Sequence, residues 1–263
     1  KKVREREPSH TTMTTPVVKT TLNENGVYEI VLNRPEKKNS LSPELAEEMA
    51  NALAHAIAND DVKIIIFRGE NGFFCAGLDL KLRQQIIKET GKDWTFGEHW
   101  KTFHKLQYSC EKPTCAVVEG GAIAGGSGLA FSCDFIYTSP KSYIWVREVE
   151  YGMAAPMNIL WMTTRWSTKL SKELVVGGQR MYGEELMEKG IAVSCDPNPL
   201  ESCREWANKI AKTNDLNAMV LANKMINSLT RTDDSFDALN KKLMIMSAKG
   251  GSKAPPKLNR AKM

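Results

Sequence analysis

The junction that most constrains this chain is where a short apolar run, Thr114–Val118 (TCAVV), passes without a spacer into residues 118–131, VEGGAIAGGSGLAF. A run of that kind reads as a strand buried on both faces. The glycines and alanines after it leave almost no side chains, and the segment opens into a helix. The first N–H groups of a helix have no partner within it and carry the positive end of its dipole. Such a start can hold negative charge developing on an oxygen. Beyond Glu119, at its strand end, no side chain in the stretch can serve as a base, so the chemistry at the helix start has to come from residues folded against it.

Around this junction the pattern is strand, loop, helix. Val27–Leu32 (VYEIVL) reads as a strand, followed by a polar turn at residues 33–39. Ser42 with Pro43 behind it is a helix start, and Leu45, Met49, Leu53 and Ala56 or Ile57 follow on one face, which reads as core. Residues 62–67 (VKIIIF) form a second buried strand, and a loop at residues 69–79 follows. Residues 80–108 are irregularly helical and hold Trp94, Phe96, His99, Trp100, Phe103 and His104, an aromatic cluster suited to core packing or to walling an apolar pocket. Short strands at 134–138 and 143–146 precede a connection at 148–156 and a helix at 158–166. From residue 168 the chain reads as nearly all helix, at 168–176, 183–189, 200–213, 218–229 and 235–247. The layout is an α/β core over 15–197 whose turns repeat strand, strand, helix, then a helical region over 198–250 and a basic tail over 251–263. Residues 1–14 are polar and aperiodic and read as a disordered extension, with Met13 as the natural start.

Composition narrows the function classes. No apolar run approaches the roughly 20 residues that cross a bilayer, and the chain reads as a soluble cytoplasmic protein. The C-terminal triplet Ala261-Lys262-Met263 loosely resembles a peroxisomal address, which is the alternative. Six cysteines stand without C-x-x-C spacing or neighbouring histidines, so neither a metal site nor a disulfide framework is expected. The net charge of +5 is carried by the ends: residues 1–12 hold +2 and residues 241–263 hold +7, which leaves −4 for the body. A mildly acidic body argues against a nucleic-acid groove, although the basic C-terminus could meet the phosphates of a small ligand or lie solvated.

Five segments, LNRPEKKNSLS (32–42), FFCAGLDL (73–80), VEGGAIAGGSGLAFSCD (118–134), REVEYGMAAP (147–156) and GGQRMYGEELMEKGIAVSC (177–195), resemble in order the crotonase family of enoyl-CoA hydratases and isomerases. The resemblance implies a spiral ββα fold, trimers that often pair into hexamers, and a thioester of coenzyme A as substrate with no further cofactor. Carried over by position, it implies an oxyanion hole at the backbone N–H groups of Leu78 and Gly125. It also implies adenine contacts at Cys75, Ala76 and Gly77 with Ser40 and Leu41 facing them; Ile123, Gly126, Trp145 and Met153 complete the candidate substrate-binding residues.

Of the two glutamates used by the family's hydratases, the first position is occupied here by Gly128 and the second by Glu148. With one acid the addition of water loses half its machinery, whereas moving a double bond needs a single proton shuttle. The surroundings of Glu148, with Gly152 and Ala155-Pro156 following, resemble those of the family's Δ3,Δ2-enoyl-CoA isomerases. To act at neutral pH, Glu148 needs apolar neighbours that raise its pKa, and Trp145, Met153, Ile123 and Trp161 are the candidates. An ion pair with Arg147 is the structural alternative for Glu148, and Glu150 is its chemical rival. His99, His104 and Tyr108 lie where some relatives place further polar groups, and Ser127 has no visible partner base. Pro156 stands where aromatic dehalogenases of the family place an aspartate. Other readings kept open are a hydratase, decarboxylase or hydrolase using His99, His104 or Glu150, and a non-catalytic acyl-CoA- or RNA-binding relative.

Overall fold

Two strands with no polar residue at their centres set the architecture. In the computed structural model, which describes residues 15–94, 97–230 and 236–250, β3 (Ile64–Gly69) and β4 (Thr114–Val118) are parallel neighbours, with Ile66 opposite Cys115. Their side chains alternate between two faces. Ile65, Phe67, Ala116 and Val118 enter the larger core with α1 (Pro43–Ala58), whereas Ile64, Ile66, Cys115 and Val117 meet α8 (Pro199–Thr213). Because helices cover both faces, the runs show no polar alternation. α8 presents Cys203, Ala207 and Ala211, small residues one turn apart that let it approach the sheet closely.

The main sheet has the order β1-β2-β3-β4-β6-β9, with β1 (Val18–Leu22) antiparallel to β2 (Val27–Leu32) and the other pairs parallel. β6 is Phe135–Thr138 and β9 is Ser194–Cys195. A second sheet runs β5-β7-β8, from Gly121–Ile123, Tyr143–Trp145 and Arg180–Tyr182. Two successive turns of the spiral each give one strand to each sheet and then a helix. β4, β5 and α4 (Gly125–Phe131) make one turn; β6, β7 and α5 (Pro156–Arg165) make the next. This is the α/β layout with repeating ββα turns and C-terminal helices expected from the sequence.

The helix expected at residue 42 forms with Ser42 Oγ accepting the Leu45 N–H at 3.1 Å. The irregular stretch after residue 80 resolves into α2 (Leu80–Thr90), ended by Gly91 at φ 70°, and α3 (Glu98–Ser109). Four strands depart from expectation, among them β5, which lies in the glycine-rich stretch read as passing straight into a helix. β1 carries four exposed residues out of five and so lacks an apolar signature. β8 and β9, of three and two residues, fall in the gaps between the expected helices, in a region read as nearly all helix, and complete the two sheets. Between α5 and β8 lie α6 (Thr168–Ser171) and a wide π turn (Lys172–Val176), and α7 (Gly183–Glu188) follows β8. Beyond α8 come α9 (Leu216–Thr230) and α10 (Phe236–Gly250). The division at residue 197 marks a change of element type rather than a gap in packing, because α8 belongs to the second core. The disordered extension, Met13, Phe96, the basic tail and the C-terminal triplet lie outside the described residues.

A charged group pins α8 to the sheet. Glu29 of the fully buried β2 accepts from Arg68 Nε at 2.9 Å and from Arg204 Nε at 2.6 Å and Nη2 at 2.9 Å. Burial alone would raise its carboxyl, but the hydrogen bonds and charges of Arg204 and Arg68 outweigh it and hold the pKa below 4.5. Its contribution is therefore present at neutral pH and is lost as pH falls through the depressed pKa. Glu29→Ala should cost about 3 kcal/mol in denaturant unfolding at pH 7, since Arg68 and Arg204 both lose their shared buried carboxylate and Arg68 keeps only Glu70, at 3.6 Å. The difference from the parent should narrow below pH 4.5.

Candidate active site

The loops after β3 and β4, at the C-terminal ends of parallel strands, build the site. After a single turn at Glu70–Gly72 the chain runs beside β5: Cys75 N–H donates to the Gly121 carbonyl at 3.1 Å, and Ile123 N–H donates to the Cys75 carbonyl at 2.9 Å. On its other side Leu41 N–H donates to the Gly77 carbonyl at 2.8 Å, and Asp79 N–H donates to the Leu41 carbonyl at 3.0 Å. In that parallel bridge the neighbours of Leu78 make the bonds, so its own N–H is turned the other way, toward β5 and α4. Ala76 N–H donates to the Lys38 carbonyl at 3.0 Å. Arg34 locks the pair of loops, with Nη2 on Asp79 Oδ2 at 3.1 Å and Nη1 on the Ser40 carbonyl. Ser40, Leu41, Cys75, Ala76 and Gly77 thus form one continuous corner.

Close backbone approach explains the glycines here. Gly77 has φ 81°, and a Cβ on it would lie 2.6 Å from the Ile123 carbonyl and 3.4 Å from Gly125 N. On Gly126 a Cβ would meet the Cys75 carbonyl at 2.3 Å. The start of α4 therefore seats directly on the residue 75–77 backbone. Burial pushes the Cys75 thiol up to about 12, so it is no nucleophile.

Glu148 opens a turn, Glu148–Tyr151, after β7. Its Oε1 accepts from Asn158 Nδ2 at 3.2 Å, and its Oε2 is buried without a hydrogen-bond partner. Burial pushes its pKa up to about 7, opposed only in part by hydrogen bonds from its own backbone and from Asn158 and by the Arg147 charge. Arg147 pairs instead with Glu150, Nη2 to Oε2 at 2.9 Å, so the ion pair considered for Glu148 belongs to its rival. Gly128 faces this place from α4. A Cβ there would lie 3.6 Å from Met157 Cβ and 3.7 Å from Asn158 Oδ1, so a side chain at 128 would begin beside the amide that holds Glu148.

Other candidates are engaged elsewhere. His104 is fully buried, its Nδ1 accepts the Trp161 Nε1–H at 2.9 Å, and burial drives its pKa down to about 3, leaving it neutral. His99 is half exposed, 3.7 Å from Glu47. Ser127 Oγ donates to the Ala124 carbonyl at 2.5 Å, a local backbone bond. Pro156 is the first residue of α5. Trp145 holds Ala124 N–H on its carbonyl at 2.9 Å, while its ring stacks under Arg147 and Arg180 and its Nε1–H donates to Gly178. Met153, expected among the apolar neighbours that bury Glu148, is 52% exposed and so adds little to that burial. Asn158 was not foreseen. The sequence pattern starts a helix at residue 158, but α5 begins two residues earlier, at Pro156, so Asn158 is its third residue and its side chain reaches Glu148.

Residues 22–250 match the family model described as enoyl-CoA hydratase/isomerase. The chain belongs to the crotonase superfamily. Among its relatives is the enoyl-CoA hydratase domain-containing protein 2, mitochondrial, of Mus musculus, 31% identical over 189 residues that cover 70% of this chain and 63% of that protein. Another is the Delta(3,5)-Delta(2,4)-dienoyl-CoA isomerase, mitochondrial, of the same species, 25% identical over 186 residues, 66% of this chain and 57% of that protein. The match thus spans less than two thirds of either mitochondrial protein. An enoyl-CoA hydratase/isomerase from Pseudoalteromonas atlantica T6c shares the fold, with a TM-score of 0.77 at 22% identity over 91% of this chain and 93% of that one. This crotonase therefore has relatives named for both hydration and isomerisation.

The raised pKa of Glu148 carries a stability cost with a definite sign. Between pH 4.5 and about 7 the folded chain holds a proton that the unfolded chain has released, so stability falls as pH rises through that window. Glu148→Gln, which cannot ionise, should be more stable than the parent above pH 7 by about 3 kcal/mol, and level with it at pH 4.5. Thermal unfolding at the two pH values measures the difference.

Proposed function

We propose that this crotonase is an enoyl-CoA isomerase that moves a carbon–carbon double bond in a coenzyme A thioester, with no further cofactor. The observation that carries the reading is one largely buried carboxyl, Glu148, facing a position, Gly128, that bears no second acid. In the reaction, ionised Glu148 takes a proton from the carbon next to the thioester carbonyl of a 3-enoyl-CoA. The electron pair shifts onto the carbonyl oxygen, where the N–H groups of Leu78 and Gly125 receive it as a dienolate. Protonated Glu148 then returns the proton at the γ carbon, and the negative charge collapses into the conjugated product. A carboxyl with a pKa about 7 suits both halves, because it can take and return a proton at neutral pH.

Ser40, Leu41 and the residue 75–77 backbone would hold the adenine end, with Ile123, Gly126, Trp145 and Met153 along the acyl path. Hydration needs a second group to orient water, and Gly128 supplies none. The RNA-binding alternative rested on Gly128 and on the basic ends, of which residues 1–12 and 251–263 lie outside the described residues. A homotrimer or hexamer belongs to the same proposal, supported by the exposed apolar residues Leu221, Met225, Ile226 and Leu229 of α9. So does a cytoplasmic location, with the peroxisome as the alternative.

Incubation with 3-hexenoyl-CoA should give the conjugated isomer at unchanged mass, and crotonyl-CoA should gain no water; hydration of crotonyl-CoA as the main reaction would overturn the reading. Turnover should rise with pH through a midpoint near 7 as Glu148 loses its proton. Glu148→Gln should lower kcat by about 10⁴-fold while acyl-CoA binding, followed by calorimetry, survives. Leu78→Pro removes one oxyanion donor and should lower kcat by about 10²–10³-fold.

A further inference from the structure

Asn158 is joined to both halves of the candidate site. It is the third residue of α5 and 1% exposed. One Nδ2 serves two acceptors, the Glu148 carboxylate Oε1 and the Ala124 carbonyl, each at 3.2 Å. Because both neighbours are acceptors, the amide can only sit with its NH₂ toward them; the reverse orientation would set oxygen against oxygen. Ala124 is the residue whose backbone aims Gly125 N–H. It has φ 51° and ψ −116°, a conformation that glycine adopts readily and alanine rarely. Its carbonyl is also held by Gly128 N–H at 3.1 Å and by Ser127 Oγ. The Asn158 side chain lies against Gly128, with Oδ1 3.7 Å from where a Cβ would stand. That Oδ1 is buried and without a hydrogen-bond partner, a cost that core packing alone gives no reason to bear.

We propose that Asn158 is a positioning residue for proton transfer, its amide fixing the Glu148 carboxylate relative to the Ala124–Gly125 backbone in the space beside the bare Gly128. The inference rests on the isomerase reading. It explains how a site with one acid keeps that acid in place. In a pair of acids, hydrogen bonds shared through water can orient each carboxylate; a single acid in an apolar surround has only the groups that touch it. Here the touching side chain is Asn158, since the charge nearest in sequence, Arg147, is bound to Glu150 and stacked on Trp145 at 3.8 Å. One side chain bonded to both sites also couples them: a shift of α5 moves base and donor together and leaves their separation unchanged.

The test compares the parent with Asn158→Ala, Asn158→Asp and Glu148→Gln on 3-hexenoyl-CoA. It records kcat, KM, the pH midpoint of kcat, the carbonyl stretch of a bound acyl-CoA by Raman difference, and thermal unfolding. Asn158→Ala should lose about 10²-fold in kcat with KM unchanged. Its pH midpoint should move above that of the parent, because a hydrogen bond to the ionised carboxyl is gone. The carbonyl stretch should lie closer to that of free acyl-CoA, because Gly125 N–H is less well aimed. Asn158→Asp keeps the shape and sets a second carboxylate against Glu148, so its midpoint should move higher still; it carries the test if the alanine variant does not fold. A fall in kcat with midpoint and stretch at parental values would reduce Asn158 to a packing role and overturn the proposal, as would parental values throughout. If Glu148→Gln turns over normally, the isomerase reading itself fails and this inference fails with it. If Glu148→Gln is inactive while both Asn158 variants match the parent, only the positioning role is lost.

Discussion

The site depends on one backbone reversal. Between β5 and α4 there is a single residue, Ala124, and it turns the chain in an unfavourable conformation that costs on the order of 1–3 kcal/mol. The surroundings more than offset this. Ala124 N–H donates to the Trp145 carbonyl, and its carbonyl receives Gly128 N–H, Ser127 Oγ and Asn158 Nδ2. A longer connection would relieve the strain but would leave the helix start free to move. The abrupt turn sets α4 on the Cys75 backbone and Gly125 N beside Gly77, where the proposed mechanism needs its N–H. Position is worth more than comfort there, since a donor stabilises an oxyanion only when it is already aimed.

Two levels of rigidity support that corner. The outer level is the pair of sheets, whose buried strands end at the loops that build it. The inner level is the Arg34 clamp. Arg34 and Asp79 are both largely buried, and Asp79 also accepts the Leu82 N–H with its other oxygen, so the loop, its facing turn and the start of α2 move as one piece. An open polar depression of about 570 Å³, lined by Asn23, Asn25, Asp60, Asp61, Lys63 and Lys212, lies at the other end of the strands. It is remote from the glycine-rich loop, and it lacks a buried titratable group.

The parts of the molecule that repeat a strong local pattern were legible in the sequence. The continuous apolar runs of β3 and β4 and the Ser42-Pro43 helix start depend on burial and capping, which leave their mark within a few residues. Strands β1, β5, β8 and β9 did not, because an edge strand exposed on one side, or one only two or three residues long, owes its existence to the partner that pairs with it. In the site, Glu148 and the bare Gly128 could be recognised by position. Asn158 could not, because its role arises from a helix that starts two residues earlier than the sequence pattern implies, and from neighbours 10 and 34 residues away in the chain. Met153 erred in the opposite direction: an apolar residue near the base reads as its cover, but the turn after Glu148 carries it outward.

The surroundings of Glu148 show why a lone acid can stay poised. A guanidinium is attached to the very next residue, and an Arg147–Glu148 pair would hold the carboxyl well below its ordinary range. Instead Arg147 lies over the rings of Trp145, at 3.8 Å, and Tyr151, at 5.0 Å, and bonds to Glu150. Glu150 thus neutralises the arginine that would otherwise fix Glu148 as a permanent anion. Burial then dominates, and the pKa rises to about 7 rather than falling. A second carboxylate at position 128 would raise it further by repulsion unless water or a protonated partner separated the two. Leaving that position bare keeps the Glu148 carboxyl near neutrality, the state in which the proposed isomerisation has it accept and return one proton.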